Sequence, residues 1–131
     1  SAENSPRYWI DPDRFEELGR SLEVLLLTRR CRSCLEQPVN TAEPPSSDQQ
    51  ISHIVGCCAQ DESFIRPGMP LQEIVFRMIL AGGNAPASLT GLQYRLTEEW
   101  ATPGNPMNIS PDGLKRVLDT DDFYGFRELL D

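Results

Sequence analysis

The chain of 131 residues carries 20 acidic side chains against 12 lysines and arginines, which gives a net charge of −8. This balance argues against a general polyanion binder, because affinity for nucleic acid depends on cationic side chains that neutralise phosphates. No apolar run approaches the roughly 18 residues of a membrane-spanning helix, and the opening SAENSPRYW lacks the basic start and apolar core of a secretory signal. We therefore expect an intracellular, cytoplasmic protein.

The segment DPDRFEELGRSLEVLLLTRR, residues 11–30, predicts one long amphipathic helix. Asp11 is a candidate N-cap, and Pro12 occupies the first helical position, where its missing N–H does no harm. Apolar residues then recur at helical spacing, and Arg29 lies in the last turn, where the helix dipole favours a cation. We expect the aromatic segment around Tyr8 to pack onto this helix.

A loop and a second helix are predicted next. Residues 36–48 contain three prolines and no aromatic side chain, which is typical of a flexible loop. The overlapping stretch SSDQQISHIVGCCAQ predicts a short helix with Ser47 or Asp48 as its N-cap. Its apolar face is expected to consist of Ile51, Ile54, Val55 and Cys58.

The C-terminal part predicts three more helices and a strand. LQEIVFRMILAGG forms a helix that ends at Gly82 or Gly83. LTGLQYRLTEEW forms another, in which Thr90 and Gln93 have the spacing of a capping box. ISPDGLKRVLDT begins a third helix with Ser110 as its cap, and the aromatic segment FYGFREL predicts a strand.

The four cysteines and the single histidine fall in two short clusters. Cys31 and Cys34 form a CxxC pair, whereas His53 and Cys57 have the i, i+4 spacing that places them on one face of a helix. Zinc in a structural site takes four sulfur or nitrogen donors at tetrahedral positions, and two short hooks separated by a loop supply them. We therefore predict a structural zinc site with the ligands Cys31, Cys34, His53 and Cys57.

Cys58 is the alternative ligand. Neighbouring residues of a regular helix point about 100° apart, so Cys58 would turn away from the ion that Cys57 binds and pack as a small apolar side chain. If the helix begins or ends elsewhere, the ligand set is Cys31, Cys34, Cys57 and Cys58 instead. A thiol redox site, an iron–sulfur cluster and a cluster without metal are the other hypotheses. We expect no enzymatic activity, because four protein ligands close the coordination of the ion.

The C-terminal part resembles a winged-helix domain. PLQEIVFRMILAGGNAPASLTGLQYRLTEEW is similar to the first two helices and their link, and ISPDGLKRVLDTDDFYGFREL is similar to the third helix and the wing. The resemblance implies that SPDGLKRVLDT is the recognition helix, with Arg95, Lys115 and Arg116 as candidate nucleic-acid contacts. Four acidic side chains near them would repel phosphates: Asp112, Asp119, Asp121 and Asp122.

Together these features predict a mainly α protein. A zinc-stapled helical unit covers residues 1–66, and a winged-helix-like three-helix unit with a short C-terminal strand covers residues 67–131, the two being separate or sharing one core. The predicted function is a non-catalytic interaction or regulatory module that binds a protein partner, because a winged helix also serves as a docking scaffold. The alternatives are a sequence-specific DNA-binding transcriptional regulator and a thiol redox or iron–sulfur sensor.

Overall fold

The structure is a computed structural model that describes residues 5–39 and 42–130. Residues 1–4, positions 40 and 41 of the predicted loop, and residue 131 lie outside the described residues. About half of the chain is helical, so the expected mainly α class is confirmed. The described elements are β1 (Arg7–Ile10), α1 (Pro12–Glu17), α2 (Leu22–Leu27), α3 (Arg32–Leu35), α4 (Ser47–Gly56), α5 (Leu71–Ala81), β2 (Ala87–Ser88), α6 (Leu89–Arg95), α7 (Pro111–Thr120) and β3 (Phe126–Leu129).

The predicted helix over residues 11–30 is wrong, because the chain breaks at Gly19. This residue has a φ of 69°, the left-handed conformation that glycine adopts without strain. The N–H of Arg20 donates to the carbonyl of Phe15 at 2.8 Å, and the N–H of Gly19 donates to that of Glu16 at 3.0 Å, which is the Schellman pattern of a helix end. Ser21 then caps α2 by accepting from the N–H of Val24.

A small antiparallel sheet joins the two ends of the chain. Its strand order is β2-β1-β3, so β1 lies in the centre, and Tyr8 is opposite both Ala87 and Glu128. Tyr8 and Ile10 are fully buried. The aromatic segment before α1 therefore does more than pack onto a helix, because it forms the central strand. The predicted strand near the C-terminus is confirmed as β3.

Serine side chains set most of the helix starts. Ser110 caps α7 as predicted, whereas the cap of α4 is Ser46, one residue before the predicted position, in a capping box with Gln49. Ser88, not Thr90, caps α6 by accepting from the N–H of Gly91. A π-helical turn, Leu96–Trp100, extends α6, and α5 ends at Gly82 as predicted.

Buried apolar side chains from both predicted units belong to one hydrophobic cluster. The N-terminal part contributes Tyr8, Phe15 and Leu26, and the C-terminal part contributes Phe76 and Leu114, each at most 1% exposed. The three predicted C-terminal helices and their strand occur in the predicted order, as α5, α6, α7 and β3. The winged-helix resemblance stays a prediction. None of the described helices is both long enough and apolar enough to cross a lipid bilayer.

Candidate metal centre

Two short elements carry the cysteines. Cys31 is the N-cap of α3, and Cys34 lies within this helix of four residues. Cys57 directly follows α4, and Cys58 begins the 3-10 turn Cys58–Gln60. Because α2 packs against α4, the CxxC that follows α2 stays close to the end of α4.

The four sulfur atoms converge on one point. The Sγ atoms of Cys31, Cys34, Cys57 and Cys58 all lie within 4.8 Å of one another, and those of Cys34 and Cys57 are 3.9 Å apart. All four cysteines are free thiols. A zinc–sulfur distance of about 2.3 Å implies an edge of roughly 3.8 Å in a tetrahedron of thiolates. Four thiols at this spacing can therefore hold a single metal ion.

The end of α4 explains how Cys57 and Cys58 face the same point. The helix ends at Gly56, and Cys57 has a φ of −134° and a ψ of −73°, outside the helical region. The rule that neighbouring helical residues diverge by about 100° therefore does not apply to this pair. Gly56 is the sequence signal for this helix end, since glycine is a frequent residue where helices stop.

His53 lies at the edge of the group of sulfur atoms. Its Nε2 atom is 3.2 Å from the Sγ of Cys34, and its side chain is exposed. The histidine is not part of the group of four mutually close donors, although one turn of α4 separates it from Cys57. At this distance an imidazole N–H can donate a hydrogen bond to the Cys34 sulfur. The ligand set with His53 in place of Cys58 stays a prediction.

The surroundings of Cys31, Cys57 and Cys58 shift the pKa values of these thiols in different directions. Hydrogen bonds, first from the Ser33 hydroxyl and then from the Cys34 backbone N–H, lower the pKa of Cys31 to about 6. Burial raises the pKa of Cys58 to about 12, against a hydrogen bond from the Cys31 backbone. The pKa of Cys57 is also raised, mainly by its hydrogen bond with Cys34 and by burial. Crowded thiolates repel one another, and a bound cation removes that penalty.

The candidate nucleic-acid contacts are largely engaged with acidic side chains. The Nζ of Lys115 donates to Glu128 at 2.7 Å and to Asp119 at 3.0 Å, and its hydrogen bonds, first the one to Glu128, raise its pKa. Arg95 pairs with Glu99 at 3.3 Å on an exposed helix face. Within the described residues, the exposed Arg116 is the candidate whose side chain has no ion-pair partner. These pairs reduce the positive charge that phosphates would meet.

Comparison with known proteins gives no relative. No family model, curated protein or solved structure matches the chain. The function must therefore be inferred from the geometry and chemistry of the side chains. The clearest such feature is the group of four sulfur atoms.

Proposed function

We propose that the protein is a non-catalytic, zinc-binding interaction module in which Cys31, Cys34, Cys57 and Cys58 hold one structural Zn²⁺ ion. The observation that carries this proposal is the mutual proximity of the four sulfur atoms, all within 4.8 Å. Four protein ligands fill the tetrahedral coordination of zinc and leave no position for water or substrate. In this ligand set His53 hydrogen-bonds to the Cys34 thiolate and orients it, as neighbours of metal ligands commonly do.

The packing of α3 supports a structural role for the ion. Cys34 is the buried residue of this helix, and Leu35 is 53% exposed. A helix of four residues has no stability of its own, because the cost of helix nucleation is not recovered over one turn. Apolar burial supplies little to hold α3 in place, so a bond from Cys31 and Cys34 to a metal ion is the interaction that would fix it.

The same spacing favours a single ion over a cluster of several irons. In a [4Fe–4S] cluster each thiolate binds a different iron, and in a [2Fe–2S] cluster the four thiolates are divided between two irons, so the four cysteine sulfurs cannot all lie as close together as around one ion. A single iron with four thiolates has the spacing of zinc and is the remaining metal alternative. Zinc binds nitrogen and sulfur donors more tightly than Fe²⁺ does.

Elemental mass spectrometry of untagged protein tests the metal. We expect one equivalent of zinc in a colourless protein, with a lower melting temperature after a strong chelator. One equivalent of iron in a coloured protein would establish the iron alternative. Protein without metal and with reversibly reactive thiols would replace the proposal with a thiol redox site.

Two matched variants test the ligand set. Cys58→Ser removes a ligand of the four-cysteine set, and His53→Gln removes a hydrogen-bond partner but no ligand. We expect Cys58→Ser to weaken zinc binding by well over about a hundredfold in a competition with a chromogenic chelator, and His53→Gln to weaken it by about 10- to 100-fold, the usual cost of losing a partner of a metal ligand. The reverse order would show that His53 is the fourth ligand.

The interaction role rests on the exposed face of α6 in the winged-helix-like part. Tyr94 is 64% exposed there, and tyrosine is enriched in the central residues of protein interfaces. The pairing of Arg95 and Lys115 with acidic groups favours a protein partner over DNA. We expect a partner that co-purifies with the wild-type chain to be lost with Tyr94→Asp and kept with the matched variant Phe123→Asp, which lies outside α6. A salt-sensitive shift of mixed DNA fragments would instead support the DNA-binding alternative.

A further inference from the structure

A pocket lined by arginines lies beside the four-cysteine group. It has a volume of about 280 Å³ and is lined by residues from the end of α2, from α3 and from the segment before α5, together with Arg77 of α5. Four of its lining residues are Arg30, Arg32, Arg66 and Arg77, and none of the lining residues that the structure describes is acidic. A third of the 12 cationic side chains thus meet in one cavity of a chain with a net charge of −8.

Three of these four guanidinium groups have no partner among the residues that the structure describes. Among the described residues, the side chains of Arg30, Arg32 and Arg66 make no ion pair and no hydrogen bond. Arg77 is held in place, because its Nε donates to Glu73 at 2.7 Å and its Nη1 donates to the carbonyl of Phe64 at 2.7 Å. Like charges in one cavity repel one another. An anion that enters the pocket relieves this repulsion and therefore binds favourably.

The negative charge of the cysteine thiolates is too small to balance the positive charge of the arginines in the pocket. Cys31 also lines the pocket, so the arginines offset part of the negative charge of the metal centre. A Zn²⁺ ion with four thiolates leaves two negative charges, and Glu73 shares one more between Arg29 and Arg77. Asp61, whose carboxylate accepts from the Ser63 hydroxyl at 2.7 Å, adds another negative charge beside the pocket. The four arginines of the pocket together with Arg29 still leave a positive excess after all of these are counted.

We infer that this pocket binds a phosphate group, free or as the monoester of a small molecule. Guanidinium groups donate two parallel hydrogen bonds to phosphate oxygens, which makes arginine well suited to this anion. The hydroxyls of Thr28 and Ser63 also line the pocket, but they donate to the Leu25 carbonyl at 2.6 Å and to Asp61 at 2.7 Å, so the arginines are the donors that phosphate would meet. The volume is near the lower end of the range for small-molecule sites, which begins at about 300 Å³. The inference does not rest on the identity of the metal.

The test is a titration of the purified protein with inorganic phosphate. The ionic strength is held constant, because any added salt screens exposed charges and would itself change the signals. Binding is followed by calorimetry and by the backbone amide signals of ¹⁵N-labelled protein. Arg66→Gln removes an exposed, unpaired arginine of the pocket. Arg116→Gln is the matched control, because it removes the same charge from an exposed, unpaired arginine on α7. Both variants are checked for an unchanged melting temperature and metal content.

We expect saturable binding with signal changes in residues 28–35 and 63–66, at least tenfold weaker for Arg66→Gln and within twofold of wild type for Arg116→Gln. A parallel titration with phenyl phosphate separates the two sources of the anion. Tighter binding of the ester would identify a phosphorylated small molecule that contacts Leu35 and Phe64, and equal binding would identify the free ion. Absence of saturation, or equal losses in both variants, would overturn the inference. It would also be overturned by a hexaglutamate peptide or single-stranded DNA that bound where phosphate did not.

Discussion

Replacement of the buried Glu73 by glutamine tests the least exposed ion-pair network among the described residues, which connects the two halves of the chain. The carboxylate accepts from Arg29 at 2.9 Å through both Nε and Nη2, from Arg77 at 2.7 Å and from the hydroxyl of Tyr124 at 2.7 Å. It thereby links the segment after α2, helix α5 and the segment before β3. Glu73→Gln removes the charge and turns one acceptor into a donor that faces guanidinium groups.

The magnitude follows from the burial of the partners. The side chains of Arg29 and Arg77 are 18% and 15% exposed, so the variant leaves two poorly solvated cations without a counter-charge. Breaking such a buried pair costs about 3 to 5 kcal/mol of the free energy of unfolding. For 131 residues the entropy of unfolding at the midpoint is about 0.28 kcal/mol/K. We therefore expect the melting temperature to fall by about 11 to 18 °C.

Thermal unfolding followed by circular dichroism at pH 7 measures this effect. The matched control is Glu99→Gln, which breaks the exposed pair with Arg95 and should cost less than about 1 kcal/mol, or about 4 °C. Burial alone would raise the pKa of Glu73, but hydrogen bonds, first from Arg29 and then from Arg77 and Tyr124, hold it below its ordinary value. The stabilisation is therefore present above the unfolded pKa of about 4.3 and is lost as the pH falls through the folded pKa.

The difference between wild type and Glu73→Gln should therefore narrow below about pH 4, where the wild-type carboxylate also becomes protonated. A melting temperature for Glu73→Gln within 2 °C of wild type at pH 7 would refute this reasoning. So would a loss for Glu99→Gln as large as that for Glu73→Gln, because burial would then not be the cause.

Three further substitutions test the backbone, a hydroxyl and a cap. Gly125→Ala should cost about 2 to 5 kcal/mol in urea unfolding, because residue 125 has a φ of 74° and its new Cβ would lie 2.6 Å from Cδ2 of Phe15; a cost below 1 kcal/mol would contradict this. Burial, and then the hydrogen bond to Asp119, raise the pKa of Tyr8 to about 12, so its contribution is present below the unfolded value of about 10 and is lost as the pH rises to 12. In urea titrations the free energy of unfolding should therefore fall less for Tyr8→Phe than for wild type between pH 10 and 12. Equal falls would show that the protonated Tyr8 hydroxyl makes no such contribution. Ser46→Ala removes the capping box of α4 and should cost about 0.5 to 2 kcal/mol in the same assay, whereas no measurable change would show that the cap is replaced by water.

The sequence predicts the helices better than their ends, and local signals explain why. Ser110 with Pro111 marks the start of α7 correctly, because both residues act within one turn of the chain. Gly19 interrupts an apolar pattern that continues on both sides, so periodicity alone merges α1 and α2 into one helix. The place of β1 depends on pairing with β2 and β3, which lie far away in sequence and leave no local signal at Tyr8.

The candidate site shows the same limit. The pattern of cysteines predicts that two hooks meet, because the spacing of each hook is a local property. The choice between His53 and Cys58 depends on where α4 ends, and helix boundaries read from sequence are uncertain by a few residues. The Arg29–Glu73 pair joins residues 44 positions apart. The available signal was a glutamate directly before the apolar run Ile74 to Phe76, since a carboxylate that is buried with such a run needs a partner.

Removal of the metal should loosen the protein locally and leave most of the core intact. In α3 the buried residue is Cys34, whereas α5 contributes six buried apolar residues to the core. Cys58 is fully buried and stays anchored by its neighbours in that core. After chelation we therefore expect faster amide exchange for residues 31–37, while α5 keeps its protection. Exchange that accelerates equally in α3 and α5 would show instead that the metal is needed for the whole fold, as in a zinc finger.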